Sequence, residues 1–198
     1  ATTKILLQST SETFPTGFAN SSGVLGHYLM DHYSGPGVAA GYDMLKDQYY
    51  FGQRSTSVYI PRFQNLTTQD RKFTRGYAYE VYVTRADWTR GYNNAGTGAS
   101  WKDSLSEPGE WQAALYAFGE CLPNYKNQVR LDESKKDKWG LPKLVVDMEY
   151  GANELAMRQE MIDDAKEMLA TAEPAWVADI SAEAVPGMTI HEMGTARM

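Results

Sequence analysis

The chain has 198 residues, of which 42% are hydrophobic, 12% aromatic and 22% charged. That balance excludes a wholly disordered protein and fits one generous globular domain or two small ones. The net charge of −6 argues against a general nucleic-acid binder, which carries a basic excess.

Residues 1–8 are predicted helical and read as the tail of a helix. Residues 9–23 are loop, with Ser, Thr, Asn, Gly and Pro in quick succession. Leu25 to His32 predicts a short helical turn, which Gly35, Pro36, Gly37 and Gly41 break to begin another loop. Residues 57–63 favour a strand, and Pro61 puts it at an edge or a bulge. The strongest strand is 73–85, where Phe73, Arg75, Tyr77, Tyr79, Val81 and Val83 alternate on one face. Residues 89–109 are rich in Gly, Asn and Ser and are predicted loop. Residues 111–122 read as strand rather than helix, because the turn residues Pro123-Asn124 follow and extended character resumes at Asn127. Residues 132–142 form a turn region whose charged run, Asp132 to Lys138, is solvated. Residues 143–150 are a strand. Asn153 is placed as the cap of a helix that runs to about Ala172, and Glu173-Pro174 stops it. Leu155, Met161, Ile162, Ala165, Met168 and Leu169 share one face of that helix, with Asp163-Asp164 on its outer face.

Several antiparallel-type strands and one long helix predict an α+β fold, an antiparallel sheet flanked by helices, rather than a doubly wound sheet. No G-x-G-x-x-G occurs, since Trp101 stands where Gly96-Thr-Gly98 would need a third glycine, so no dinucleotide-binding unit is expected in the chain. The single cysteine, Cys121, excludes an intrachain disulfide and a Cys-rich zinc site, and it reads as a small buried hydrophobe rather than a nucleophile. His27, His32 and His191 are too scattered for a metal cluster. No apolar run approaches the ~20 residues that span a bilayer, and no signal peptide is read at the start. The chain opens inside a helix and closes on a Gly turn that normally leads into another element, so it reads as a piece of a larger protein.

The most informative stretch is Pro186-Gly-Met-Thr-Ile-His-Glu-Met-Gly-Thr-Ala-Arg-Met198. The zinc-protease pattern H-E-x-x-H fails here, because Thr195 replaces the second His and Gly194 is poor in a helix. What remains is His191 at the end of a short extended run, ahead of a Gly turn. In a strand Thr189 and His191 point the same way. A histidine held rigidly at such an end and facing a cleft suits a general base.

This stretch resembles the H-x-x-G-T-x-R-M-G segment of the glucose–methanol–choline oxidoreductases, flavin-dependent alcohol and sugar oxidases and dehydrogenases; pyranose-oxidase-like and gluconate-dehydrogenase-like members are most similar. Three further stretches fit in order. Asn20-Ser-Ser-Gly-Val-Leu-Gly-His-Tyr-Leu-Met-Asp-His32 resembles N-S-x-G-x-V/L-G-x-x-L-x-D-H, departing at His27 where Arg is frequent. Asn127-Gln-Val-Arg-Leu-Asp132 with Asp137-Lys-Trp-Gly-Leu-Pro142 resembles N-x-V-x-L…D-x-x-G-x-P. Thr2-Thr-Lys-Ile-Leu-Leu7 is similar to the end of a flavin-domain helix.

The resemblance implies that residues 1–32 are the tail of a flavin-domain helix and a connecting loop. It makes 33–185 a substrate-binding domain and 186–198 the start of the catalytic C-terminal segment. His191 matches the residue that takes the substrate hydroxyl proton while hydride leaves for the flavin; imidazole, with a reference pKa of ~6.5, is chemically apt for that. FAD would be bound mainly by an N-terminal domain outside this chain, and a second catalytic residue would lie beyond its C-terminus. The isolated chain is therefore expected to be inactive. The expected partner is a small alcohol or sugar, with no nucleic acid and no membrane span. Thr189 is a candidate to line the pocket beside His191. Arg62 is a candidate for the sugar site by loose analogy to pyranose oxidases, against the plainer reading of a surface Arg on an edge strand. Tyr49-Tyr-Phe51 and Trp88 are candidates to stack on a sugar ring, although such rings are more often core. Asp31-His32 is a landmark without assigned chemistry. The rival reading is a stand-alone carbohydrate-binding module, supported by the aromatic-rich, acidic middle of the chain.

Overall fold

A computed structural model describes residues 1–48, 53, 55–93 and 95–197. In chain order the elements are α1 (Thr2–Gln8), β1 (Tyr33–Tyr42), β2 (Val58–Ile60), β3 (Tyr77–Arg85), α2 (Gly98–Ser106), β4 (Trp111–Gly119), β5 (Gln128–Lys136), β6 (Pro142–Asp147), α3 (Ala152–Ala170) and β7 (Trp176–Asp179), with a 3₁₀ turn at Trp88–Tyr92. The fold is α+β, built on an antiparallel sheet with helices, as the pattern predicts. The chain divides into two units. One comprises Ala1–Tyr33, Glu120–Leu155 and Val185–Met198, and the other Ser34–Gly119 and Ala156–Ala184.

The second unit holds a five-stranded sheet in the order β2-β3-β4-β1-β7. The β2–β3, β3–β4 and β1–β7 pairings are antiparallel, with Tyr79 opposite Ala117 and Val81 opposite Leu115 at the centre. Helix α3 covers one face. Met157, Met161, Ile162, Ala165 and Leu169 are buried along it, the larger of them each contributing roughly 1.5–3 kcal/mol by leaving water. Tyrosines of the sheet complete that layer, and a buried phenol needs a hydrogen-bond partner. Tyr77 donates to Asp164 at 2.6 Å, Tyr79 to the Met161 carbonyl at 2.6 Å and Tyr42 to the Leu169 carbonyl at 3.0 Å. The last of these satisfies a carbonyl that the helix end leaves without an intrahelical partner. Burial pushes the Tyr77 and Tyr79 phenols up, keeping them neutral donors.

In the first unit β5 and β6 form a two-stranded antiparallel ribbon with Val129 opposite Val146. The Asp137 carboxylate accepts from the amides of Trp139 and Leu141, both at 3.0 Å, and so shapes the turn between them. Gly140 takes the positive φ of 81° that the turn requires. Buried Asn127 uses both ends of its amide on the Glu149 backbone, donating at 3.0 Å and accepting at 3.1 Å.

Several expectations are corrected. Residues 33–42 are a buried strand, not a loop, because aromatic rings occupy the space its glycines leave open: Tyr116 lies over Gly37 and Trp176 over Gly41. Leu25–His32 makes no helix; it opens in a turn closed by the His27 amide on the Val24 carbonyl at 3.0 Å, and isolated bridges follow at His27 and Met30. The stretch 89–109 contains α2. Strand β5 runs on to Lys136, so the charged segment begins as strand and turns only at Asp137. Helix α3 opens at Ala152, so Asn153 lies inside its first turn, and Glu154 accepts from the Gly151 amide at 2.8 Å. Leu155 is 59% exposed rather than part of the buried face. Asp164 faces Tyr77 instead of solvent. Strand β7 was not expected. Among the described residues no helix is long and apolar enough to cross a membrane.

Candidate active site

The segments that carry the sequence motifs meet within the first unit. The 26–32 stretch lies between two partners. On one side the Leu29 amide donates to the Asn127 carbonyl at 2.9 Å and the Val129 amide to the Gly26 carbonyl at 2.7 Å. On the other, Met30 and Met193 exchange both backbone hydrogen bonds at 2.9 Å, and the Gly26 amide donates to the Thr195 carbonyl at 2.6 Å. The Thr3 and Thr195 hydroxyls lie 2.7 Å apart, which ties α1 to the same turn. Two glycines make this approach possible. Gly26 (φ 93°) and Gly194 (φ 100°) both adopt the left-handed region, and a Cβ on either would strike a backbone carbonyl, that of Val129 or of Tyr28.

Asp31 anchors the stretch that leads to His191. Its side chain is buried, at 3% exposure. Oδ1 accepts from the His32 amide at 2.9 Å, and Oδ2 accepts from Gly187 at 3.1 Å and Thr189 at 3.3 Å. Burial opposes its ionisation, but the hydrogen bonds from Thr189, His32 and Gly187 outweigh that and hold the carboxyl below its usual range. The next turn carries His191, which is exposed. Its ring meets that of His32 edge-on, centroids 5.0 Å apart and planes at 86°. Tyr150 steadies His32 by donating to its carbonyl at 2.9 Å. Among the described residues no hydrogen bond occupies a ring nitrogen of His191, so both are open to an incoming hydroxyl.

The extended run expected before His191 is broken at Ile190, whose φ is 58°, so strand alternation does not apply to Thr189 and His191. Thr189 turns its amide to Asp31 and its hydroxyl oxygen out of solvent. Arg62 follows the end of β2, and its stem lies against Gly76. Trp88 is exposed beside Tyr92, centroids 5.9 Å apart. Tyr49-Tyr-Phe51 falls outside the described residues. Burial pushes the Cys121 thiol up to about 12, so no thiolate forms near neutral pH and the nucleophile reading loses its basis.

The second unit has a separate feature. The face of its sheet opposite α3 bounds a cavity of about 750 Å³. Alternate residues of β3 (Glu80, Tyr82, Thr84) and β4 (Gln112, Ala114, Tyr116) line it, with Pro36 and Ile180 among the apolar remainder. The Tyr82 and Tyr116 rings pack edge to face at 5.8 Å. Sequence reasoning missed this wall by following only the Tyr77–Tyr79 face of β3. The signal was present in Trp111-Gln-Ala-Ala-Leu-Tyr-Ala-Phe118, whose even positions put Gln112, Tyr116 and Phe118 on a second face of the strand.

No family model matches the chain. The 2-methyl-1,2-propanediol dehydrogenase of Mycolicibacterium austroafricanum is 31% identical over 202 residues, which take in the whole chain and 36% of that protein. The fructose dehydrogenase large subunit of Gluconobacter japonicus is 26% identical over 173 residues, 84% of this chain and 31% of that protein. The chain thus spans about a third of the length of these curated relatives.

Proposed function

We propose that the chain is the substrate-binding side of a flavin-dependent enzyme of the glucose–methanol–choline oxidoreductases, a reading that its similarity to two dehydrogenases supports. The enzyme oxidises an alcohol group of a sugar, sugar acid or polyol, and His191 is its general base. The observation that supports this reading is the junction around Asp31. Three distant motif segments are hydrogen-bonded together there, and the result is an exposed imidazole, hydrogen-bonded by none of the described residues, on a stretch pinned by a buried carboxylate. The relatives' names point the same way, since both are dehydrogenases of hydroxylated compounds.

The residues present suit the substrate side of such a centre and not the phosphates of FAD. The glycine spacing Gly96-Thr-Gly98 does lead into α2, but Trp101 stands where the third glycine is needed and its ring fills the space beside Gly96, so no open cradle of amides remains there. Phosphate binding is therefore assigned to polypeptide outside this chain. Bound FAD supplies the hydride acceptor. His191 accepts the hydroxyl proton on a ring nitrogen, and the negative charge that grows on the substrate oxygen eases departure of hydride from its carbon. Asp31 holds the 187–189 backbone so that this nitrogen is presented in one orientation.

The test is anaerobic mixing of the full-length protein with a panel of sugars, sugar acids and polyols. The expected outcome is a yellow protein whose flavin bleaches with at least one of them. A protein that holds no flavin, or whose flavin no alcohol reduces, contradicts the reading.

A further inference from the structure

Among the described residues that line the cavity over the free face of the sheet, Glu80 is the only acidic one and none is Lys, Arg or His. We propose that this cavity takes uncharged polyhydroxylated alcohols and turns away the corresponding sugar acids, with Glu80 setting the choice. The inference rests on the function proposed above for the ligand class and narrows it by removing the acids.

The Glu80 carboxylate is fixed rather than free to swing away. It accepts from the Ser57 hydroxyl at 2.8 Å. The adjacent Glu80 carboxylate pushes the Tyr82 phenol up. A carboxylate offers about four acceptor sites, which leaves room for ligand hydroxyls as donors. A second carboxylate stands behind the wall, since lining residue Gln112 donates to Glu110 at 2.9 Å. Arg85, the basic residue at the end of β3, gives its guanidinium to the carbonyls of Gly109, Lys46 and Gln48 and is not available to the cavity. The remainder of the wall, with Tyr82, Tyr116, Phe118 and Ile180, suits the CH faces of a polyol. An incoming carboxylate therefore meets like charge, with no cation among the described lining residues, in a concavity where low-dielectric walls strengthen the repulsion.

The test measures dissociation constants for a hexitol and its matching aldonate at pH 7 on the reduced full-length holoenzyme, where no turnover occurs. The hexitol is expected to bind at least about tenfold more tightly, the scale of one like-charge contact in a partly open site. The isosteric Glu80→Gln is expected to narrow the ratio at least about threefold. In the unsubstituted protein, raising the salt is expected to narrow it as well, because screening weakens only the charged ligand's penalty; this arm needs no variant to fold. Equal or tighter aldonate binding, no binding of the hexitol, or a ratio that neither Glu80→Gln nor salt moves overturns the inference. Failure of the parent reading is a different result, a flavin that no alcohol reduces whatever the ratio.

Discussion

Asp31 shows how much one buried carboxylate can organise. Its three amide donors belong to its own neighbour and to residues up to 158 positions away, so nothing local reveals its task; the motif Asp-His marks the spot without explaining it. Because its folded pKa is depressed, the stability it contributes is fully present above the unfolded value of about 3.9 and is lost as pH falls through the lower folded value. Asp31→Asn is expected to destabilise the protein by about 1–3 kcal/mol at pH 7, the cost of weakening buried hydrogen bonds to a charged acceptor. In urea unfolding the gap between variant and parent should shrink toward pH 3. A gap of the same size at both pH values would show that the charge of Asp31 does not matter. His191 stands out in the sequence as a candidate because the motif around it is contiguous. Glu80, Tyr82, Gln112 and Tyr116 were legible in principle, as the second face of two alternating strands.

At the level of elements, α3 and β1 mark where sequence reasoning succeeds and where it stops. The 3.6-residue period correctly gathers Met161, Ile162, Ala165 and Leu169 on one face, but it also admits Leu155, which the structure leaves exposed, and it omits Met157, which is buried. Periodicity reports a helix face; it does not report how far along the helix the sheet extends. Met161→Ala is therefore expected to cost about 2–5 kcal/mol through the cavity it opens, and Leu155→Ala about 0.5 kcal/mol or less. Equal losses in thermal or urea denaturation would mean that α3 seats differently on the sheet. Strand β1 went unread for another reason. Gly35, Pro36, Gly37 and Gly41 have loop propensities, and their strand is stabilised by rings from β4 and β7 that lie far away in sequence. Propensity is local, and this strand's stability is not. The edge position of β2 was legible from Pro61 alone, although the strand stops at Ile60 and not at residue 63.

For the whole molecule, what the sequence made legible was an ordered set of short motifs, and what the structure adds is that Gly26–His32, Asn127–Val129 and His191–Thr195 are adjacent strips in one unit. Glycines at 26 and 194 permit the approach, and Asp31 with Met30 holds it. The sheet cavity belongs to the other unit and needs only β-alternation and a gap opposite α3. Both features are arranged by backbone pairing between residues far apart in the chain, which explains why each motif could be recognised alone while the site could not be assembled from them. The most direct measurement is the single-turnover rate at which an alcohol substrate reduces the flavin of the full-length His191→Ala protein. Loss of a positioned base should slow reduction at least ~100-fold while the protein still holds its flavin. Reduction at the parent rate would contradict the assignment of His191 as the proton acceptor.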